Sequence, residues 1–68
     1  MKVTIQSSYI TLGQFLKLAN LVQSGGQAKA FIAGNQIQVN GVPTRQQEKK
    51  LYPGDKVEIN DTVYEITG

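Results

Sequence analysis

Sixty-eight residues with seven lysines and arginines, five acids, and neither cysteine nor histidine set narrow limits. A chain this short buries only about 60% of the surface it exposes when unfolded, so one small domain over residues 1–68 with a compact core is expected. Disulfides and thiolate metal sites are excluded, and the commonest metal ligand and general base is missing, which makes binding without cofactor or metal the default.

No apolar run approaches the roughly 20 residues that a bilayer requires. Met1 to Gln6 alternates apolar and polar residues and lacks the apolar block of a signal peptide. A soluble, cytoplasmic protein with no membrane partner is expected. The net charge of +2 is unevenly spread: residues 1–47 contain Lys2, Lys17, Lys29 and Arg45 and no acid, while Glu48, Asp55, Glu58, Asp61 and Glu65 all come later. Such segregation suggests a face aimed at a polyanion. Lysines kept only for solubility are the plainer alternative.

Val3 and Ile5 alternate with Lys2, Thr4 and Gln6, the period of a half-buried edge strand. From Thr11 the period changes, since Leu12, Phe15, Leu16 and Ala19 fall at i, i+3, i+4 and i+7 on one helical stripe. Thr11 followed by Gln14 forms a capping-box pattern, so a helix is predicted over 12–19 with Asn20 as its stop. Ser24 and Gln27 repeat the signature, and Ala28, Phe31 and Ile32 repeat the stripe before Gly34, a candidate left-handed stop. Gly25 and Gly26 then sit in the first turn of a second helix, where each costs about 1 kcal/mol relative to alanine. Close approach of a partner's backbone is one reason for that cost, and a tight interhelical turn is the other.

Period two returns at Ile37 and Val39. Asn40-Gly41 is a strong hairpin signal, and Pro43 limits pairing of the return strand. Thr44 to Lys50 has no apolar residue and reads as an exposed loop. Pro53-Gly54 suits a type II turn, Val57 and Ile59 form a strand, Asn60-Asp61 turns again, and Tyr64 and Ile66 close the sheet. The expected fold is α+β: two short N-terminal helices packed on a small antiparallel sheet of about four to five strands.

No histidine or cysteine is present to activate Ser7, Ser8 or Ser24, and Gly25-Gly26 lacks the Gly-Lys-Ser/Thr ending of a phosphate loop, so neither catalysis nor nucleotide binding is supported. A surface of cations and amides remains: Gln14 and Lys17 off the stripe of the first helix, Gln27 and Lys29 on the second, the open amides at Gly25, and Arg45, Lys49 and Lys50 in the loop. Phe15 and Phe31 are expected in the core, whereas Tyr9 and Tyr52 could reach the surface.

Thr11-Leu12-Gly13-Gln14-Phe15-Leu16, Ser24-Gly25-Gly26-Gln27-Ala28-Lys29, Gln36-Ile37-Gln38-Val39-Asn40-Gly41 and Pro53-Gly54-Asp55-Lys56-Val57 resemble, in order, the motifs of the S-four RNA-binding domain, in its small stand-alone bacterial branch of YaaA and YbcJ type. The resemblance covers about residues 10 to 60. It implies an αL-type fold whose helices and following hairpin contact structured RNA, commonly ribosomal RNA, in a ribosome-associated monomer. The contact residues would be Thr11, Gln14, Lys17, Ser24, Gly25, Gln27, Lys29, Asn40, Arg45, Lys49 and Lys50. The family usually carries arginine and aspartate where this chain has Thr11 and Gly13, and Ser-Arg where it has Ser24-Gly25.

Two other function classes compete with RNA binding. A β-grasp sulfur carrier shares the Val-Asn-Gly hairpin and the Gly-Asp-Lys-Val-Glu-Ile strand, but Ile66-Thr67-Gly68 lacks the Gly-Gly ending such carriers adenylate. A protein-interaction adaptor would use the same face for an acidic partner. For RNA the expected mechanism is positioning on phosphates with little base readout, because no aromatic side chain accompanies the basic helical face.

Overall fold

The computed structural model describes residues 1–68. Strands β1 (Lys2–Thr4) and β2 (Ile10–Thr11) precede helices α1 (Leu12–Leu18) and α2 (Gly25–Gly34). Strands β3 (Ile37–Val39), β4 (Val42–Pro43), β5 (Lys50–Leu51), β6 (Lys56–Ile59) and β7 (Thr62–Thr67) follow. Five strands form one sheet in the order β1-β7-β6-β3-β4, and β2 pairs with β5 in a separate two-stranded ribbon. The architecture is α+β.

Local chemistry accounts for most element boundaries. Thr11 caps α1 with a complete capping box: Gln14 N donates to Thr11 Oγ1 (3.2 Å) and Thr11 N donates to Gln14 Oε1 (2.9 Å). Asn20, at φ 63°, takes the left-handed conformation that asparagine tolerates and ends the helical run. Asn40 and Gly41 lie at φ 53° and 83°, the pair of positive angles that a type I′ hairpin requires, and they join β3 to β4. Pro53-Gly54 makes the type II turn, with Gly54 at φ 96° and Asp55 N donating to Tyr52 O (3.0 Å).

The sheet buries one face. Val39, Val57 and Tyr64 form a row across three strands, and Ile37 pairs with Ile59 and Val3 with Ile66 in neighbouring rows. Leu12, Phe15, Leu16, Ala28 and Ile32 from the helices join these side chains in one cluster. Phe15 meets Tyr64 edge-on, with centroids 5.4 Å apart and planes at 80°, the geometry that ring quadrupoles favour. Alternation along β6 and β7 turns Glu58 and Glu65 away from this core.

Several expectations are corrected. Two strands, β1 and β2, precede the helices where one was expected, so the helices are not specifically N-terminal. The sheet is mixed, because β1 runs parallel to β7; β1 lies at an edge, as expected, and β7 lies between β1 and β6. Five strands follow the helices. α1 ends at Leu18, with Ala19 as its C-cap. Gly34 stays helical, and Asn35 ends α2 in an extended conformation while its Nδ2 donates to Phe31 O (2.9 Å), so an amide side chain satisfies a terminal carbonyl that a left-handed glycine was expected to serve. Phe31 is only partly buried.

Thr44 to Lys50 is the expected, mostly exposed loop up to Lys49, with Lys50 entering β5, but it is docked on α1: Leu12 N donates to Lys49 O (2.8 Å) and Gly13 N to Gln47 O (3.0 Å), and Lys50 pairs with Thr11. Leu51, next in the chain, has no solvent exposure. Replacing Leu51 by alanine is expected to cost about 2–5 kcal/mol, seen as a lower urea midpoint, whereas Val42→Ala, on the exposed edge strand β4, should change stability by about 0.5 kcal/mol or less.

Candidate nucleic-acid interface

The N-termini of α1 and α2 converge on the segment 44–51. In α1 every first-turn amide has a partner, because Leu12 and Gly13 donate to Lys49 O and Gln47 O and Gln14 donates to Thr11. Gln47 then reaches across to α2, where its Nε2 donates to Gly25 O (3.1 Å). A Cβ at Gly13 would stand 2.8 Å from Gln47 Cγ, and one at Gly25 would stand 3.6 Å from Gln47 Nε2. The tight approach is therefore at Gly13 and is made by the chain itself, whereas a Cβ at Gly25 would make only ordinary van der Waals contact. Gly26 has no neighbour nearer than Ser24 Oγ at 4.0 Å.

At α2 the cap differs from a reciprocal box. Gln27 N donates to Ser24 Oγ (3.2 Å), but Gln27 Oε1 accepts from Gln23 N (2.7 Å), one residue earlier than the pattern predicts. Ala28 N donates to Ser24 O, and the amides of Gly25 and Gly26 have no acceptor within the chain.

The caps share one chemical property. Thr11, Gln14, Ser24 and Gln27 each engage a side-chain oxygen as an acceptor, which leaves the hydroxyl hydrogens of Thr11 and Ser24 and the NH₂ groups of Gln14 and Gln27 free to donate. Donors are what a phosphate or a 2′-hydroxyl oxygen requires.

Cations lie on the same elements. Lys17 lies one turn beyond Gln14, with Ile10 and Leu18 beside them. Lys29 lies one turn beyond Gly25 and Gly26. Lys49 and Lys50 border a groove between the β3–β4 hairpin and β5 that also contains Gln46, Asn40 and Asp55. No lysine or arginine head group takes part in a side-chain hydrogen bond. Lys50 instead stands over the ring of Tyr9, its Nζ 4.9 Å from the centroid.

Two predicted contact residues stand apart. Asn40 is tied into the scaffold: Lys56 N donates to its Oδ1 (2.9 Å) and its Nδ2 donates to Asp55 Oδ1 (3.1 Å). Arg45 borders a different concavity, with Asn35, Gln36 and Gln38 near the C-terminal end of α2. Gln47 was missed by sequence reasoning, and only the glycines at 13 and 25, each unexplained by a turn, hint at a side chain packed over both.

Gly13→Ala and Gln47→Ala are expected to be coupled. With Gln47 truncated, alanine at 13 should stabilise α1 by up to about 1 kcal/mol. With Gln47 present the crowding should cancel or reverse that gain, giving a coupling energy of about 1 kcal/mol in a four-protein urea-denaturation cycle. Additive effects would show that Gln47 does not pack on Gly13.

The family model described as "S4 domain" matches residues 3–67. The chain is similar to the "Probable ribosome maturation protein RlbA" of Bacillus subtilis (strain 168), with 51% identity over 57 residues, which cover 84% of this chain and 80% of that protein. Residues 3–67, which the family model matches, take in both helix caps, the Asn40-Gly41 hairpin, the docked segment 44–51 and the Pro53-Gly54 turn, and the chain belongs to the S4 domain family.

Proposed function

We propose that this protein is a cofactor-free RNA-binding module that grips structured RNA, with ribosomal RNA as the target class, through α1, α2 and the adjacent β3–β4 hairpin in an αL-type arrangement. The observation that carries this reading is the convergence of both helix N-termini on one segment. It brings four free side-chain donors, at Thr11, Gln14, Ser24 and Gln27, onto neighbouring elements, with Lys17, Lys49 and Lys50 near the start of α1 and Lys29 on α2. The S4 domain match and the ribosome-maturation name of the relative support the same direction. Protein, RNA and ribosomal particles would meet in the cytoplasm, with one copy of the chain binding as a monomer.

Lysine is a mobile point charge, so its contribution is phosphate positioning and release of condensed counterions. Hydroxyl and amide donors add short-range contacts to phosphate and ribose oxygens. Such contacts read the shape of a folded RNA more than its sequence. Glu58, Asp61 and Glu65 all lie on the β6–β7 hairpin, which keeps most of the negative charge off the helix termini. No histidine or cysteine is present to act as a general base or nucleophile, and binding is the whole of the proposed activity.

Titration of structured ribosomal RNA fragments across a salt series tests this. The log-log slope is expected to correspond to about two to four phosphate contacts, and the Lys17→Ala/Lys29→Ala double variant should lose about two contacts' worth of slope. Absence of binding at low salt, or a slope indifferent to the double variant, would overturn the assignment of this face. Lys49→Ala/Lys50→Ala should weaken binding across unrelated RNA sequences by a similar factor, as phosphate contacts do.

A further inference from the structure

Tyr9 and Tyr52 stay 41% and 47% exposed, and their placement gives that exposure a use. Single exposed aromatics are ordinary on protein surfaces. These two are paired, with centroids 5.8 Å apart and planes at 46°. The β2–β5 register, Ile10 opposite Leu51 and Thr11 opposite Lys50, sets residue 9 across from residue 52 one step beyond the ladder. Lys50 holds its ammonium over the Tyr9 ring, and Tyr52 lines the groove that Lys49 and Lys50 border.

Both backbones are anchored. Ser7 Oγ donates to Tyr9 O (2.7 Å). Tyr52 N donates to Asp55 Oδ2 (2.8 Å), and the type II turn returns a bond from Asp55 N to Tyr52 O. The rings are thus carried on fixed supports, so little further ordering is needed for a ligand to stack on them. Asp55 also lines the groove, but its two oxygens already accept from Tyr52 N and Asn40 Nδ2. Glu48 is exposed on the neighbouring segment and does not line the groove.

We propose that Tyr52, backed by Tyr9 and flanked by Lys49 and Lys50, is a stacking ledge for one unpaired nucleobase of the RNA ligand. The proposal rests on the RNA-binding reading and extends it from phosphate positioning to the choice of RNA structure. A planar ring beside free cations suits a unit that is flat at one end and anionic at the other, which describes a nucleotide. Within a duplex both faces of each base are covered by its neighbours, so it is a base bulged out of the duplex held at the caps that can use the ledge. Because Lys50 pairs with Thr11, the ledge continues directly from the capped start of α1, and a helix held at the caps would present an adjoining unpaired base to Tyr52.

The test compares two hairpin RNAs that differ by a single bulged adenosine, titrated with the full chain and with Tyr52→Phe, Tyr52→Leu and Tyr52→Ala. The wild-type chain is expected to bind the bulged hairpin about fivefold or more tightly than the unbulged one. Phenylalanine should keep that preference. Leucine, which retains apolar contact with Tyr9 but has no planar face, and alanine should bring the ratio close to one while unbulged-hairpin affinity stays within about twofold. No preference in the wild-type chain, or a preference that survives Tyr52→Leu, overturns the ledge. Failure of the wild-type chain to bind either hairpin would instead remove the RNA-binding reading on which it stands.

Discussion

Helix α1 begins inside the molecule, and its first amides need acceptors that solvent does not supply. The segment 44–51 supplies them, with Lys49 O and Gln47 O accepting from Leu12 and Gly13. An unpaired buried amide costs about 1–3 kcal/mol, so the return of this segment to the start of α1 is close to obligatory. Once it is there, the rest of the interface follows. Lys50 falls opposite Thr11, Leu51 fills the core, Gln47 ties α2 to α1 through Gly25 O, and Lys49 and Tyr52 are placed along the same edge.

The constraint also accounts for Gly13, and it uses the carbonyl of Gly25. Gln47 Cγ occupies the space that a side chain at position 13 would need, and its Nε2 reaches the backbone of Gly25. These are the positions at which the family resemblance implies an aspartate and an arginine. In this chain a neutral amide from the loop bridges both helix starts. Positive charge on the proposed face would accordingly come from Lys17, Lys29, Lys49 and Lys50, none of which is a cap residue.

Much of this organisation was legible in the sequence wherever a local rule controls the outcome. The capping box at Thr11, the type I′ turn at Asn40-Gly41, the type II turn at Pro53-Gly54 and the core stripe of Leu12, Phe15 and Leu16 each depend on residues within four positions of one another. What the sequence did not disclose depends on contacts between distant positions. The parallel pairing of β1 with β7 joins residues more than 60 apart, and β2 and β5 are two residues each, too short for any periodicity. Thr44 to Lys50 looks like a loop because its contribution is made by backbone carbonyls and one amide side chain, none of which carries a hydrophobic signature. Gly34 was misplaced because Asn35 serves a terminal carbonyl of α2 and no left-handed residue is needed. Among the site residues, Asn40 was recognisable as a turn former, and its ties to Lys56 and Asp55 show the same side chain serving the scaffold.

The caps hold fold and interface together in the same atoms. Thr11, Gln14, Ser24 and Gln27 use their oxygens to terminate helices and retain hydrogens that face solvent. Removing any of them takes away a cap, at about 1 kcal/mol, together with a donor, so its effect on a ligand cannot be separated from its effect on the helix. The lysines differ, since their head groups make no hydrogen bond within the chain, and surface charges of this kind contribute little to stability. Tyr52 lies between the two classes: it is half exposed and rests on Tyr9, yet its backbone is held by Asp55 whatever its side chain. On the proposed RNA-binding reading, affinity would therefore be tuned through the lysines and Tyr52 with the scaffold intact, while the caps and Gln47 keep the two helix starts in register beneath them.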